Sequence, residues 1–150
     1  MSRKRYEGFS LIEILVVVAL IIILATITIV AINPGKNFRD TRNAQRSADV
    51  NAILSAVTQY TTDGNSVDTF GTIMACDPDN WKTGTPIGVG ATDANLTALT
   101  TGDEDYIVSI PRDPNTAADA EQTGYVICKI GTRVQIAAPG AEGKEIAVRR

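Results

Sequence analysis

The chain has 150 residues, enough for about one domain, and its 14 Lys and Arg against 17 Asp and Glu give a formal net charge of −3. It contains no His, which excludes a His-based catalytic triad, a His-ligated zinc ion and an imidazole proton shuttle. Two Cys are too few for a thiolate metal cage, and the acidic balance argues against a bulk nucleic-acid binder. Aromatic residues make up only 5%, which argues against base-stacking platforms and aromatic sugar clefts.

Residues 14–32 form an unbroken apolar run whose only polar side chains are Thr26 and Thr28. As a helix this run spans about 28 Å, which is close to the hydrocarbon thickness of a bilayer. A buried strand is the alternative, but strands rarely exceed about ten residues. The run therefore predicts a membrane helix.

Basic residues at positions 3–5 precede the apolar run, so the positive-inside rule places the N-terminus in the cytoplasm and sends the rest across the membrane. An ordinary secretory signal would have a shorter apolar core, of about 7–15 residues, and a small-x-small cleavage site after it. Here the run leads into Asn33-Pro34-Gly35 instead. A plain uncleaved anchor remains the second alternative.

The short basic leader ends at Gly8 and is followed by Phe9-Ser10-Leu11-Ile12-Glu13 and the apolar run. This string resembles the class III signal of type IV prepilins and of type II secretion pseudopilins, and the resemblance covers about the first 32 residues directly. It implies that a prepilin peptidase cleaves after Gly8 on the cytoplasmic side and N-methylates Phe9. It also implies that Glu13 is the acidic residue that takes part in assembly.

The same resemblance implies the partners and the location of the protein. The precursor would reside in the inner membrane before assembly, with its N-terminus in the cytoplasm. A pilus assembly platform and its ATPase would then polymerise it with other pilin subunits into a cell-surface filament. In this organisation residues 1–8 are the leader, residues 9–32 the transmembrane and assembly helix, and residues 33–150 the globular head.

Glu13 is the only formally charged side chain between Phe9 and Ile32. A carboxylate inside a membrane costs on the order of 3 kcal/mol or more, so we expect it to have a partner. Cleavage after Gly8 would create an ammonium on Phe9, and Glu13 of one subunit could then neutralise the Phe9 amine of the next. The alternative is an interfacial carboxylate that reaches the headgroups.

Asn33-Pro34-Gly35 predicts a kink or a melted turn, because proline lacks a backbone donor. Apolar residues at three- and four-residue steps then predict an amphipathic helix over residues 37–62, ended by Asp63-Gly64. Four basic residues line up on one face of it: Lys36, Arg39, Arg42 and Arg46. We interpret them as a solvated face or as intersubunit ion pairs rather than a nucleic-acid or headgroup stripe, because the head is acidic.

Residues 65–105 are rich in Thr, Gly, Asp and Ala and are interpreted as a variable surface loop, with a short helix over 92–100. Strand signals follow at 106–110, 125–130, 134–138 and 145–148, and Gly131-Thr132-Arg133 is a hairpin connection. The predicted fold is α+β, with a long kinked N-terminal helix packed on a small antiparallel β-meander. The stretch 110–114, followed by Gly124-Tyr125, also resembles the strand entry of pilin-like heads.

Cys76 and Cys128 lie in the part of the chain predicted to reach an oxidising compartment. A disulfide between them would close a loop of about 50 residues and add roughly 4 kcal/mol in the chain-entropy model. Two free thiols, one of them buried in the sheet, are the alternative.

An oxygen-rich loop precedes one of the predicted strands and consists of Asp113, Asn115, Asp119 and Glu121. Some major pseudopilins bind calcium in a nearby loop, so the resemblance makes calcium the one candidate cofactor. The spacing is not that of an EF-hand, and a solvated acidic turn is the alternative.

Three functions are compatible with these features. The favoured one is a structural subunit, major or minor, of a type IV pilus, because the head lacks a clear calcium pattern. A pseudopilin of a type II secretion or DNA-uptake machine shares the same N-terminus. A membrane-anchored extracytoplasmic binding module is the third, and an enzyme is disfavoured because no nucleophile–base constellation is present.

Overall fold

The computed structural model describes residues 8–101, 105–115 and 121–150. The chain separates into two compact units, one ending at Phe38 and the other comprising Arg39–Arg150. Two helices cover the first part of the chain, α1 (Leu11–Ile32) and α2 (Pro34–Thr62). Of the predicted leader only Gly8 is described, and residues 1–7 lie outside the described residues.

The interruption predicted at Asn33-Pro34-Gly35 is confirmed and is one residue long. Asn33 adopts a left-handed conformation, with φ of 46°, which ends α1. Asparagine tolerates this conformation better than most residues. Its side-chain oxygen then accepts a hydrogen bond from the Lys36 N–H at 3.3 Å, and Pro34 opens α2 where no backbone donor is needed.

The amphipathic helix predicted over 37–62 is α2, which starts three residues earlier, at Pro34, and ends at Thr62. Gly64 follows with a φ of 89°, the conformation that glycine adopts at helix ends without a steric penalty. The apolar face of α2, with Val50, Ile53 and Val57 fully buried, belongs to the hydrophobic core of the head.

The head contains an antiparallel sheet of four strands in the order β1-β2-β3-β4. The strands are β1 (Thr85–Gly88), β2 (Gln122–Ile130), β3 (Arg133–Ala137) and β4 (Ala147–Arg149). Gly131 lies in the two-residue turn between β2 and β3 and has the positive φ, 60°, that such tight hairpins require. The predicted α+β fold, with an apolar N-terminal helix, a second helix and a small antiparallel sheet, is confirmed.

The register of the sheet sorts its side chains onto two faces, because alternate residues of a strand point in opposite directions. Ile127 of β2 and Ile136 of β3 are directly paired and lie in the same hydrophobic cluster as Ile53 and Val57 of α2. The core of the head therefore lies between α2 and this face of the sheet. Each large aliphatic side chain buried there contributes about 1.5–3 kcal/mol.

The strand predicted over 106–110 is wrong. This segment has no strand pairing and packs on the core as a loop, with the Tyr106 ring 5.4 Å from the Tyr60 ring in an edge-to-face arrangement. The strand that pairs with β2 at the edge of the sheet is instead β1, which lies inside the stretch 65–105 that was interpreted as a loop. Its Pro86 argues against a strand locally but fits at the edge of a sheet, where one side needs no backbone donor.

The helix predicted over 92–100 is shorter than expected. The structure has a single 3₁₀ turn, Leu96–Leu99, and its cap is Asn95. The side-chain oxygen of Asn95 accepts a hydrogen bond from the Thr97 N–H at 2.9 Å. Leu96 and Leu99 are buried, so core packing rather than helix propensity fixes this turn.

Candidate functional site

Glu13 lies in the first turn of α1, where it forms a capping box with Ser10. The Ser10 hydroxyl accepts a hydrogen bond from the Glu13 N–H at 3.3 Å, and Oε2 of Glu13 accepts one from the Ser10 N–H at 3.0 Å. This arrangement gives the Ser10 N–H an acceptor, adds a second acceptor for the Glu13 N–H, which also donates to the Ser10 carbonyl at 3.1 Å, and places a negative charge at the positive end of the helix dipole. The carboxylate thus has a hydrogen-bond donor within its own chain. The capping box was not predicted from the sequence, although S-x-x-E before an apolar run is its signature.

Gly8 and Phe9 precede the first residue of α1 and are both exposed. A Cβ added at Gly8 would meet no atom of the described residues within 4 Å, its two chain neighbours apart. Phe9 is 83% exposed. The Gly8–Phe9 bond therefore lies in exposed, non-helical backbone, and a Cβ at Gly8 has room among the described residues.

Beyond Glu13 in its first turn, the surface of α1 is apolar on every side. None of its residues is buried, and it reaches a mean hydropathy of 3.3 with the length needed to cross a membrane. The hydroxyls of Thr26 and Thr28 donate to the carbonyls of Ile22 and Leu24, each at 2.8 Å, so both polar side chains are satisfied within the helix. Such a helix needs lipid or other apolar helices around it.

The four basic residues predicted to share a solvated face do not behave alike. Lys36 and Arg39 are exposed, whereas Arg46 is fully buried. Arg42 is half-buried and donates two hydrogen bonds to the Glu142 carboxylate, both at 2.8 Å. The interpretation as a solvated face is therefore wrong for Arg46, and the ion pairs of Arg42 and Arg46 lie within one subunit.

The buried ion pair of the head joins Arg46 of α2 to Asp113, which lies 67 residues further along the chain. Nε of Arg46 donates to Oδ2 of Asp113 at 2.7 Å, and Nη2 donates to Oδ1 at 2.9 Å. The third nitrogen, Nη1, donates to Oδ1 of Asn43 at 3.1 Å and lies 3.5 Å from Oε1 of Glu142. Gly140 leaves the room for this pair, since a Cβ there would lie 2.7 Å from Oδ2 of Asp113.

This network shifts the pKa values of its members in the directions that stabilise their charges. Burial acts to raise the pKa of Asp113, but the hydrogen bonds from Arg46 and from the Asn115 N–H outweigh it and hold that pKa below its usual value. The hydrogen bond to Asp113 raises the pKa of Arg46 further above its ordinary value. The hydrogen bond from Arg42 lowers the pKa of Glu142.

The ion pair with Arg46 occupies Asp113, which is the first residue of the predicted calcium loop. Both carboxylate oxygens of Asp113 accept hydrogen bonds from Arg46, and Oδ1 also accepts one from the Asn115 N–H at 2.8 Å. Asp119 lies outside the described residues, and the Glu121 carbonyl accepts a hydrogen bond from the Val89 N–H. Within residues 8–101, 105–115 and 121–150, no three His, Cys, Asp or Glu side chains come together as metal ligands. The carboxylate at the start of this loop, that of Asp113, is therefore bound by Arg46.

A second buried polar contact, also missed from sequence, joins the sheet to α2. The Tyr125 hydroxyl donates to Oδ2 of Asp49 at 2.7 Å, and Gln45 donates to Oδ1 of Asp49 at 2.7 Å. Burial and this hydrogen bond raise the pKa of Tyr125. The available signal was that Arg46 and Asp49 continue the spacing of the apolar residues of α2, which places two charges on its buried face.

Cys76 and Cys128 form a disulfide in the structure, with a sequence separation of 52. It connects the long segment before β1 to the middle of β2. Beside it, the Cys76 N–H donates to the Lys129 carbonyl at 2.9 Å, and the Lys129 N–H donates to the Met74 carbonyl at 2.9 Å. The disulfide and these hydrogen bonds fix this part of the segment against the sheet.

Residues 3–29 match the family model of the prokaryotic N-terminal methylation motif, which confirms the resemblance drawn from residues 8–13. This motif is the class III signal peptide of type IV pilins and pseudopilins, which are structural proteins rather than enzymes. Together with α1 it supports a membrane-anchored protein of the pilin or pseudopilin type, processed by prepilin peptidase and assembled with other pilin subunits. Comparisons with curated proteins and with solved structures found no match.

Proposed function

We propose that the protein is a structural subunit, major or minor, of a type IV pilus and that it polymerises through α1 after its leader is removed. The observation that carries this proposal is the N-terminal methylation motif at the start of a helix that is apolar on every side beyond Glu13. A helix of this kind can leave lipid only for another apolar environment, and a bundle of identical helices provides one. The ion pairs and the disulfide keep the head folded outside the membrane.

Maturation is the first step of the proposal. Residues 1–8 are the leader, cleavage occurs between Gly8 and Phe9, and the new Phe9 amine is methylated but stays positively charged. Residues 9–32 then form the assembly helix and residues 33–150 the head. The exposed, non-helical backbone at Gly8 supports this cleavage site.

Assembly is the second step. In the single chain Glu13 accepts the Ser10 N–H, and in a filament its carboxylate also pairs with the Phe9 ammonium of a neighbouring subunit. Both charges are thereby neutralised in a medium of low dielectric constant, where an unpaired charge is costly. Because Glu13 is the only formal charge in the apolar segment, this pairing sets the axial register between subunits.

Intact-mass analysis of the purified filament protein tests maturation and should find a chain that begins at methylated Phe9. Gly8→Leu should block processing, because there is room for the added side chain at this position of the chain but not in a narrow protease cleft. Gly35→Leu places the same side chain after the apolar run and should be processed as in the wild type. A mature chain that retains Met1–Gly8, or normal cleavage of Gly8→Leu, would contradict the proposal.

Two substitutions at Glu13 separate its assembly role from its capping role. Glu13→Gln keeps an acceptor for the Ser10 N–H but removes the charge, whereas Glu13→Ala removes both. We expect both variants to accumulate in the membrane fraction and both to give little sheared surface filament. If Glu13→Gln assembles as well as the wild type, the charge is not needed and the proposed pairing is wrong.

The motif is shared with pseudopilins, so that function is the second candidate. Electron microscopy of sheared surface filaments, with mass spectrometry of their subunit, distinguishes the two. A pilin is found in long surface filaments at native expression. A pseudopilin is missing from them, and its deletion impairs protein secretion or DNA uptake.

A further inference from the structure

One face of the sheet is turned away from the core. Cys128 of β2, Gln135 of β3 and Arg149 of β4 are consecutive cross-strand partners, so their side chains lie in a row on this face. Their neighbours Ile127 and Ile136 point to the opposite, core side. The row combines a disulfide sulfur, an amide and a guanidinium.

The segment held by the disulfide forms a wall over this row and leaves a groove of about 340 Å³. Its lining includes Asp77 and Trp81 from that segment, Gln135 from the sheet floor, and Glu145 and Arg149 from the C-terminal end of the chain. This volume lies within the range of small-molecule sites, roughly 300–1,000 Å³. The groove is therefore built from the segment before β1 and from the C-terminal part of the sheet.

Gln135 is the unusual group in this groove. It is only 6% exposed, yet its side-chain amide has no hydrogen-bond partner among residues 8–101, 105–115 and 121–150. No fully enclosed side-chain nitrogen or oxygen of the described residues lacks a hydrogen-bond partner, so the unpaired amide atoms of Gln135 must reach the solvent in the groove. Because Gln135 lines the groove, its two donors and its acceptor are available to whatever enters there.

The charges around Gln135 restrict the class of ligand. Glu145 and Arg149 line the groove together but form no ion pair with any residue the structure describes, and Asp77 adds a second carboxylate. The lining therefore carries charges of both signs and places hydrogen-bond acceptors and donors side by side. A neutral ligand with many hydroxyls can donate to the carboxylates and accept from the guanidinium and the amide.

We propose that this groove binds a neutral saccharide unit, with Gln135 and Arg149 as its main hydrogen-bonding residues and Trp81 as its apolar wall. The aromatic content of the chain argues against a cleft with several aromatic rings, and this groove has only one among the described residues. The ammonium of Lys82 lies 5.4 Å from the centre of the Trp81 ring, so part of that ring is already covered. Most of the specificity therefore comes from the polar groups.

Trp81 is the only tryptophan of the chain, so a change in tryptophan emission comes from this one side chain of the groove. The full chain is purified in a polyoxyethylene detergent, whose headgroup contains no sugar. It is then titrated with glucose, galactose, mannose, N-acetylglucosamine and lactose. At least one of them should give a saturable change in Trp81 emission, whereas glutamate and inorganic phosphate at equal concentration should not.

Variants test whether the groove is the site. Gln135→Ala and Arg149→Ala should each raise the half-saturation concentration about tenfold, which corresponds to the loss of one good hydrogen bond. Gln59→Ala on α2 and Arg133→Ala, which lies at another groove, are the matched controls and should bind as the wild type does. Arg149 is exposed, so its variant should keep the fold, and circular dichroism checks this.

Three results would overturn the proposal. The first is the absence of a saturable response to any of the sugars. The second is saturable binding that both Gln135→Ala and Arg149→Ala leave unchanged. The third is a response to glutamate or phosphate instead, which would assign the groove to a charged ligand.

Discussion

The substitution Asp113→Asn tests the buried ion pair of the head with the smallest change in shape. Asparagine keeps the size of the side chain and one acceptor oxygen, but its amide nitrogen would face a nitrogen of Arg46. Arg46 would remain a buried cation, with 1% of its side chain exposed. Removing one partner of such a pair costs about 3–5 kcal/mol.

We expect a loss at the lower end of that range, about 3 kcal/mol, because two other groups still face the guanidinium. Asn43 accepts a hydrogen bond from Nη1 at 3.1 Å, and Glu142 lies 3.5 Å from the same nitrogen. The Glu142 side chain is 26% exposed, so solvent screens it and it replaces Asp113 only in part.

Urea unfolding of the full chain in detergent, followed by Trp81 fluorescence, measures this loss. The signal comes from the head, because Trp81 packs on its core, whereas far-ultraviolet circular dichroism would also report the detergent-bound α1. With a slope of about 1–3 kcal/mol per molar urea, a loss of 3 kcal/mol lowers the midpoint by roughly 1–3 M.

Two control variants separate the ion pair from general damage to the head. Replacing both partners, as Arg46→Met with Asp113→Leu, should recover most of the lost stability, because no charge is left buried. Asp68→Ala breaks the ion pair with Lys129, in which Asp68 is 74% exposed, and should change the midpoint little. An unchanged midpoint for Asp113→Asn, or an equal loss for Asp68→Ala, would refute the reasoning.

The same pair predicts the acid stability of the head. Because the pKa of Asp113 is lower in the folded head than in the unfolded chain, its contribution is complete above about pH 4 and is lost as the pH falls further. The pKa values of Glu142 and Asp68 are also lowered, so they act in the same direction. The Arg46→Met, Asp113→Leu variant should therefore show a shallower loss of stability in acid than the wild type.

Two further predictions concern the contacts of the sheet. Tyr125→Phe should lower the free energy of unfolding by about 1.5–3 kcal/mol in urea titrations, because it removes a hydrogen bond to the charged Asp49. Since the pKa of Tyr125 is raised in the folded head, the wild type should also lose stability above about pH 10, and a Phe variant with the same alkaline profile would contradict this. Cys76→Ser opens a loop with a sequence separation of 52 and should cost about 4 kcal/mol, measured by the urea midpoint. In unreduced protein both wild-type cysteines should resist alkylation, and labelling of both would exclude the disulfide.

The elements that depend on neighbouring residues were predictable from the sequence. The apolar run gave α1, Pro34 and Gly64 marked the limits of α2, and Gly131 located the tight turn between β2 and β3. The signal around Gly8 was also local, and the family model matches there. In each of these cases the determining residues lie within about one or two helical turns of each other, so chain geometry and periodicity are sufficient.

Contacts between distant residues were decided by the tertiary structure alone. A basic residue on a helix predicts an exposed charge, but Arg46 is buried because Asp113, 67 residues away, meets it in the folded head. β1 contains Pro86 and forms only because β2 offers it an edge, whereas the apolar segment 106–110 gains more by packing on the core. Sequence periodicity records which residues prefer burial, but the choice of partner depends on how the whole chain closes around its core, and no local pattern contains that information.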